Sequence, residues 1–432
     1  MSRASHAAAF VAGCAIAGAV SSLAAPRRPE AARYRTLDTF AQTLSYVSLQ
    51  YVDVVPERQL LYAAARGMAK SLDPYSDFFT PAEYRRLRED TEGEFSSVGL
   101  ALGPGAADDA MPQALDWPIV DDVIPGSPAA KAGLAVDDRL VAIDGAATAG
   151  PDAALDTVGK DERYWDQKLR GSAGSRVTVA VLRVGWPAPR TFELVRAQVK
   201  VPSVSYEAMA PHIGYLAIRR FQEATAADTA AALQALVAAH ASDVILLDLR
   251  TDSGGLLDQA LAVADEFVDG GQLVTIRGRS AEVEQHRAHP GGLAVKARVI
   301  VLVNAETASA AEILAGALQD HRRATILGMK TYGKGAIQTY FDLDDGAGLK
   351  LTTHRYSTPA GHPVEGRGIT PDLEVPEFAP EVVVAGAPAD PADPAQPELD
   401  PADARAILDL RLDDDYQLRV AYQTAQGWLG SK

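Results

Sequence analysis

The spacing of apolar residues divides the chain into a helical beginning, a strand-rich middle and an alternating remainder. In residues 31–90 apolar positions recur at helical spacing, as in "ERQLLYAAARGMAKSL". Short apolar runs between glycine turns follow in residues 91–198 and predict a β-rich domain. In residues 199–378 apolar strands such as "SDVILLDLR" alternate with helices such as "ATAADTAAALQALVAAHA". The pattern therefore predicts a multidomain α/β fold whose last domain has a mainly parallel sheet.

The two ends of the chain have a different texture. Residues 1–25 combine a basic start, the apolar run "AAAFVAGCAIAGAV" and the small residues of "SSLAA", which is typical of a signal peptide. This predicts an exported protein of the periplasm or cell envelope, with an uncleaved membrane anchor and acylation at Cys14 as alternatives. Residues 379–402 form a Pro/Ala/Asp-rich linker for which no structure is predicted, and a last helix is predicted within residues 403–432.

Composition and charge exclude several classes of function. The chain has 432 residues, too many for one ordinary core, and a net charge of −16. That charge argues against a nucleic-acid partner, because phosphate binding needs clustered Lys and Arg. His286 and His289 lie three apart, but the preferred interpretation of "EQHRAHP" is a surface loop rather than a metal site. We therefore predict no nucleic acid, metal or cofactor.

Three pieces of sequence organise the strand-rich region. They are "VGLAL", "GSPAAKAGLAVDDRLVAIDG" and "LRGSAGSRVTVAVLR", in this order. Together they resemble a PDZ domain of the bacterial protease type, which assigns residues 91–198 to that domain. A PDZ domain binds a chain terminus as an added strand. The resemblance therefore implies that the amides of Val98, Gly99 and Leu100 hold a terminal carboxylate.

Three other segments carry candidate catalytic chemistry at places where predicted strands end. They are "DLRTDSGG", "NAETASAAE" and "GMKTYGKGAIQ", and reactive groups of open α/β sheets gather at such ends. Ser309 lies between two alanines at a helix start and is a candidate nucleophile. Because none of the three segments contains a histidine, Lys334 is the remaining candidate base. To act as a base its amine must be neutral, which burial would favour.

Further groups would complete such a site. On a regular strand Lys334 and Gln338 would share a face, so the Gln338 amide could orient the lysine amine. A tetrahedral oxyanion needs two backbone N–H donors. Gly255 fits because a glycine permits close approach, and Ala310 fits because the amide after a nucleophile commonly points inward. Taken alone, however, Ser309 would more often be a helix N-cap and Lys334 a solvated turn lysine.

The segments together resemble those of the carboxyl-terminal processing peptidases, also called tail-specific proteases, a serine–lysine family. The motifs "LDLRTDSGG", "TASAAE" and "TYGKGAIQ" carry the resemblance. It implies that Ser309 is the nucleophile, Lys334 the general base and Gln338 its orienting partner. It also implies that Gly255 and Ala310 are the oxyanion donors.

The resemblance extends beyond the three catalytic segments. "SLDPYSDFFTPAEY" and "LKLTTHRYSTPAGHPVEGRGITPDLEV" bring its extent to roughly residues 38–376 and define a serine–lysine peptidase core at 199–378. One departure is "TDSGG", since the family usually has Asn-Pro or a third glycine ahead of the glycine pair. The PDZ domain of the family is thought to gate the catalytic site, so Arg170 has two interpretations, a gating contact and an ordinary surface arginine.

The function that the resemblance implies is that of an exported serine endopeptidase. It would capture protein substrates with apolar C-termini through the PDZ domain and cleave them through an acyl-enzyme. The alternative is a non-catalytic PDZ peptide-binding scaffold that retains the protease fold. The joint presence of Ser309, Lys334 and Gln338 favours the enzyme. An adaptor or regulatory partner and a homo-oligomer stay open.

Overall fold

The fold is described from a computed structural model of the chain. The described residues are 29–105, 117–149, 162–280, 283–379 and 411–430. The predicted signal peptide lies outside them, as does nearly all of the predicted linker. Within this part of the chain no helix is both long and apolar enough to span a membrane. The chain divides into two compact units, one ending at Phe78 and the other beginning at Phe79.

The first unit is helical, as its apolar spacing predicts. Its elements are α1 (Pro29–Gln50) and α2 (Glu57–Lys70), followed by the short strand β1 (Asp77–Phe79). Arg66 of α2 donates from Nε to the Phe78 carbonyl oxygen at 2.9 Å. This bond fixes the chain where it leaves the helices.

The second unit opens with α3 (Pro81–Glu92), whose start is set by local sequence. The Thr80 hydroxyl accepts from the Glu83 amide, and the Glu83 carboxylate accepts from the Thr80 amide at 2.8 Å. This is the capping box that "TPAE" predicts, with Pro81 at the first helical position. Gly93, with φ of 75°, ends the helix.

A β-rich domain follows α3. Its elements are β2 (Glu94–Ser97), β3 (Leu100–Gly103), β4 (Ile119–Val123), α4 (Pro128–Ala132), β5 (Arg139–Ile143), β6 (Ala146–Ala147), α5 (Glu162–Leu169), β7 (Arg176–Leu182), β8 (Arg190–Val195) and β9 (Ala197–Lys200). An antiparallel sheet runs in the order β3-β4-β5-β7-β8, and β2 pairs separately with β9. Trp165 and Leu169 of α5 are buried against this sheet, so one helix and one sheet share a core.

The remainder of the unit is an α/β domain with two sheets. Its elements are β10 (Val204–Ala210), β11 (Ile213–Ile218), α6 (Thr225–Ala238), β12 (Val244–Asp248), α7 (Leu257–Asp265), β13 (Gly271–Gly278), β14 (Val283–Ala288), β15 (Arg298–Val303), α8 (Ala310–Asp320), β16 (Ala324–Gly328), β17 (Ala336–Asp342), β18 (Gly348–Ser357), β19 (Leu373–Glu374) and α9 (Tyr416–Gly430). The larger sheet has the order β10-β11-β12-β15-β16-β19. All its pairs are parallel except β10 with β11, which confirms the predicted mainly parallel sheet.

The smaller sheet is antiparallel and was not distinguished by the sequence pattern. Strand β18 pairs with β17 and with β13, and β13 pairs with β14. Alternating apolar segments mark where strands occur, but they do not show which sheet each strand joins. The two sheets are important for the site, because β15 and β16 belong to one of them and β17 and β18 to the other.

The larger sheet is covered on both faces. Its strand β12 directs Ile245 and Leu247 toward the core that contains α6, α7 and α8, and Leu246 toward the core that contains α9. Such strands read as continuous apolar runs because both faces are buried. The C-terminal helix therefore completes the domain core.

A buried arginine fastens the segment before α9 to the edge of the sheet. The Arg250 guanidinium donates to Asp248 at 2.9 Å and to Asp415 at 2.7 and 2.6 Å. The side chain of Arg250 is only 15% exposed, and that of Asp248 is fully buried. Arg250 is thus shared between the strand end that leads to "TDSGG" and the C-terminal segment.

Replacing Asp415 with alanine is expected to lower the free energy of unfolding by about 2 kcal/mol, because a buried arginine loses charged hydrogen bonds. The matched control is Asp413→Ala. Asp413 is 76% exposed and lies 3.6 Å from Arg419, so its loss should cost less than about 1 kcal/mol. Urea denaturation measures both values. Equal effects of the two substitutions would contradict a stabilising role for the Arg250–Asp415 contact.

Candidate active site

Ser309 occupies a strained turn between β15 and α8. Its φ of 57° and ψ of −117° lie outside the β-region that an ordinary N-cap residue adopts. Its neighbours Ala308 and Ala310 are buried, whereas Ser309 itself is partly exposed. The site thus presents the serine side chain at the carboxyl end of the parallel sheet, where reactive groups are expected.

Lys334 lies in the loop that leads into β17. Burial lowers the pKa of Lys334, the positive charge of Lys350 acts in the same direction, and the charges of Glu365 and Glu312 oppose it. The flanking Gly335 allows close packing, since a Cβ there would lie 2.4 Å from the Glu365 amide nitrogen. The environment therefore favours the neutral amine that a general base needs.

A buried carboxylate joins the serine and lysine segments. Glu312, in the first turn of α8, is fully buried, and its Oε2 accepts from the amides of Ser309 and Lys334, both at 2.9 Å. Its Oε1 accepts from the Gly333 amide at 2.8 Å and from the Thr331 hydroxyl. One side chain thus holds the backbone of both segments in a single arrangement.

A tyrosine of the smaller sheet makes a second connection between the same segments. The Tyr356 hydroxyl lies 2.9 Å from the carbonyl oxygen of Ser309 and 2.8 Å from that of Lys334. Sequence reasoning missed both Glu312 and Tyr356. The acidic residue three positions after Ser309 was a signal for the first, whereas nothing local indicates the second.

Lys334 and Gln338 do not lie on one regular strand, although both line the same cavity. Strand β17 begins only at Ala336, and its pairing with β18 shifts register between Ile337 and Gln338. The extra residue of this bulge, Thr353, belongs to β18, so the alternation of side chains along β17 is uninterrupted. The Gln338 amide nitrogen donates to the Thr352 hydroxyl at 3.3 Å.

The glycine pair of "TDSGG" is pressed between Ser309 and Phe221. A Cβ at Gly254 would lie 2.7 Å from that of Ser309, and a Cβ at Gly255 would lie 2.1 Å from the Phe221 carbonyl oxygen. Both glycines also have positive φ, 95° and 148°. Side chains are therefore excluded by the backbone conformation as well as by the lack of space. The Gly255 and Ala310 amides donate to no acceptor among the described residues. Both N–H groups are available to an oxyanion.

One cavity collects every residue of the predicted catalytic set. Its volume is about 460 Å³. Its lining includes the predicted residues Ser309, Lys334, Gln338, Gly255 and Ala310. The structure therefore brings together five residues that are spread over three segments of the sequence.

A second cavity of about 590 Å³ lies between β3, α5 and the segment around residues 201–222. Of the predicted carboxylate-binding residues, Leu100 lines it, whereas Val98 and Gly99 are buried and do not. Arg170 also lines it, stacked 4.1 Å from the centre of the Phe95 ring and 3.2 Å from Asp166. The contacts with Phe95 and Asp166 account for the position of Arg170 without a gating role.

Family models and relatives of known class match most of this chain. Residues 212–375 match the model of peptidase family S41, and residues 119–183 match a PDZ domain model. The carboxy-terminal-processing protease of Bartonella bacilliformis is 36% identical over 356 residues, covering 81% of this chain and 77% of that protein. The carboxyl-terminal-processing protease of a Picosynechococcus species is 33% identical over 376 residues, covering 82% and 86%.

One solved structure also aligns with most of this chain. The photosystem II D1 C-terminal processing protease is 31% identical, covers 77% of this chain and 86% of its own, and aligns with a TM-score of 0.46.

An α/β core with a PDZ domain and these family matches define a serine-type peptidase. The chain belongs to peptidase family S41, among the carboxyl-terminal processing proteases. The predicted family, fold class and enzyme class are therefore confirmed, while the roles of single residues stay predictions. Within the described ranges, no three His, Cys, Asp or Glu side chains are placed to hold a metal ion.

Proposed function

We propose that this protein is an exported endopeptidase that recognises substrate C-termini through its PDZ domain and cleaves with a Ser309–Lys334 dyad. The observation that carries the proposal is that one side chain, Glu312, holds the backbone of both the Ser309 and the Lys334 segments. Glu312 accepts from the amides of both residues at 2.9 Å, and both side chains line one cavity. The depressed pKa of Lys334 supports its role as base.

In the proposed reaction, neutral Lys334 removes the proton from the Ser309 hydroxyl as its oxygen attacks the scissile carbonyl carbon. The oxyanion that forms accepts hydrogen bonds from the amides of Gly255 and Ala310. Protonated Lys334 then gives its proton to the departing amine, leaving an ester on Ser309. Water, deprotonated by the same lysine, then attacks the ester carbon; the bond to the Ser309 oxygen breaks, and the lysine returns its proton to that oxygen. Gln338 lines the cavity and is the proposed orienting partner of the lysine.

The proposed substrate is a protein with an apolar C-terminus. Such a tail would add as a strand beside β3, with α5 as the opposite wall of the larger cavity. The amides of Val98, Gly99 and Leu100 are proposed to hold the terminal carboxylate. Arg170 lines this cavity and is proposed to contact the peptidase core when a tail is bound there. The signal-like residues 1–25 support export to the periplasm or cell envelope.

A reporter with a disordered body and an apolar tail tests tail recognition. We expect its free carboxylate form to be cleaved about tenfold to a hundredfold faster, in kcat/KM, than the amidated form, because charged hydrogen bonds to the tail are lost. Gel analysis and mass spectrometry of the new ends measure this, with a polar-tailed reporter as control. Binding of the free tail without any cleavage would support the scaffold alternative instead.

A further inference from the structure

The loop that carries the oxyanion glycines contains an aspartate in an unusual setting. Asp252 stands in "TDSGG", where the family usually has Asn-Pro or a third glycine before the glycine pair, and its side chain is fully buried. An ionisable group seldom has full burial without paired charges. The reaction proposed above does not use it.

The contacts of Asp252 connect the glycine loop to the nucleophile segment. Its Oδ1 accepts from the Gly254 amide at 2.7 Å, and its carbonyl oxygen accepts from the Ala308 amide at 2.8 Å. Gly254 in turn faces Ser309, and Gly255 supplies a proposed oxyanion donor. A change at the Asp252 carboxyl group therefore acts directly on the geometry around the oxyanion.

The other carboxyl oxygen has no partner. Asp252 Oδ2 is buried and makes no hydrogen bond within the described part of the chain. An ionised carboxylate is costly in a buried environment when one of its oxygens accepts a single hydrogen bond and the other accepts none. A proton on Oδ2 removes the charge and leaves Oδ1 free to accept from the Gly254 amide.

The charges around Asp252 reduce the preference for the protonated carboxyl group without removing it. Burial raises the pKa of Asp252 to about 8, while the hydrogen bond from the Gly254 amide and the positive charges of Arg220 and Arg219 oppose the shift. Arg219 lies 3.6 Å from the Asp248 carboxylate, which already balances its charge. Arg220 has no ion pair within the described residues, and it lines the catalytic cavity.

We propose that Asp252 is a positioning residue that supports catalysis only while it carries a proton on its buried carboxyl group. Protonated, it holds the Gly254 amide as a neutral acceptor. Ionised, it places a negative charge behind the glycine pair, where the tetrahedral intermediate develops a negative charge of its own. The inference rests on the proposed function, since it concerns the oxyanion of that reaction.

The consequence is a pH profile of kcat/KM with two limbs of different origin. Activity rises with pH as Lys334 loses its proton, and it falls again as Asp252 loses its own. With a pKa of about 8 for Asp252, one further pH unit leaves about one tenth of the molecules protonated, so a tenfold fall is expected.

The test measures kcat/KM for one apolar-tailed peptide from about pH 5 to about pH 10 in the wild type, Asp252→Asn and Arg220→Gln. The asparagine variant should lose the alkaline limb. The Arg220→Gln variant should move that limb to higher pH, because the arginine charge no longer opposes protonation. An unaltered limb in Asp252→Asn, or a limb moved to lower pH in Arg220→Gln, would overturn the proposal.

Thermal unfolding provides a readout that does not need catalysis. Because the folded-state pKa of Asp252 is raised, stability falls progressively as pH rises from about 4, the pKa of an unfolded aspartate, to about 8, and is constant above that. The wild type should therefore lose Tm across this window relative to Asp252→Asn, and a constant difference in Tm would contradict the proposal. If the wild type cleaves nothing at any pH, the proposed function fails, while this measurement still decides whether Asp252 is protonated.

Discussion

Replacing Ser309 with alanine, or Lys334 with methionine, is expected to lower kcat/KM by about 10⁴- to 10⁶-fold. Alanine removes the attacking oxygen, and methionine keeps the length and burial of the lysine while removing the amine that takes the proton. Both side chains line one cavity, and both backbones are bonded to Glu312. The measurement is peptide cleavage under single-turnover conditions, together with Tm to confirm folding.

The two side chains should also behave as a unit. A serine without its base and a base without its serine lose the same step, so the double variant should be no worse than either single one. Ser280→Ala and Lys330→Ala, which change exposed residues, are the matched controls and should retain activity. Additive losses in the double variant, or residual activity of Lys334→Met within about tenfold of the wild type, would exclude the dyad.

The second large effect is expected at Glu312. The Glu312→Gln variant should lose at least about 10²-fold in kcat/KM, because a shift of about 1 Å between reacting groups has that cost. Glutamine keeps the shape of glutamate but replaces one acceptor oxygen with an NH₂ donor. In the wild type both carboxylate oxygens accept, Oε1 from Gly333 and Thr331 and Oε2 from Ser309 and Lys334. Whichever way the amide turns, donors would face donors.

Stability separates this positional effect from simple unfolding. Burial raises the pKa of Glu312, and the hydrogen bonds that it accepts oppose that shift. Glu312→Ala leaves several buried donors unsatisfied and should lower the free energy of unfolding by at least about 3 kcal/mol. The exposed Glu306, in the same segment, is the control for a lost carboxylate. An active Glu312→Gln variant would show that the two segments are held by other means.

Local sequence predicted the segments of the site well, because their chemistry is written in short motifs. The serine between alanines, the lysine between glycines and the glycine pair all line one cavity. The capping box at Thr80 was equally predictable, since its two residues are three positions apart.

What could not be predicted depends on contacts between distant segments. Tyr356 lies 47 positions beyond Ser309 in sequence, and only the folded strand β18 brings its hydroxyl to the serine carbonyl oxygen. Strand β17 begins only at Ala336, so the regular strand that the sequence suggested from Lys334 to Gln338 does not form over its whole length. The complete burial of Asp252 likewise appears only in the folded domain and is not indicated by "TDSGG" itself.

The division of the proposed dyad between two sheets has a consequence for biosynthesis. Ser309 follows β15 of the parallel sheet, whereas Lys334 precedes β17 and Tyr356 ends β18 of the antiparallel one. A ribosome makes the chain from its N-terminus, so the serine emerges well before the tyrosine that ties it to the lysine. A nascent chain that stops after α8 therefore has the Ser309 hydroxyl but not the proposed base, Lys334. The protein should be unable to cut its neighbours until the peptidase domain is almost fully synthesised.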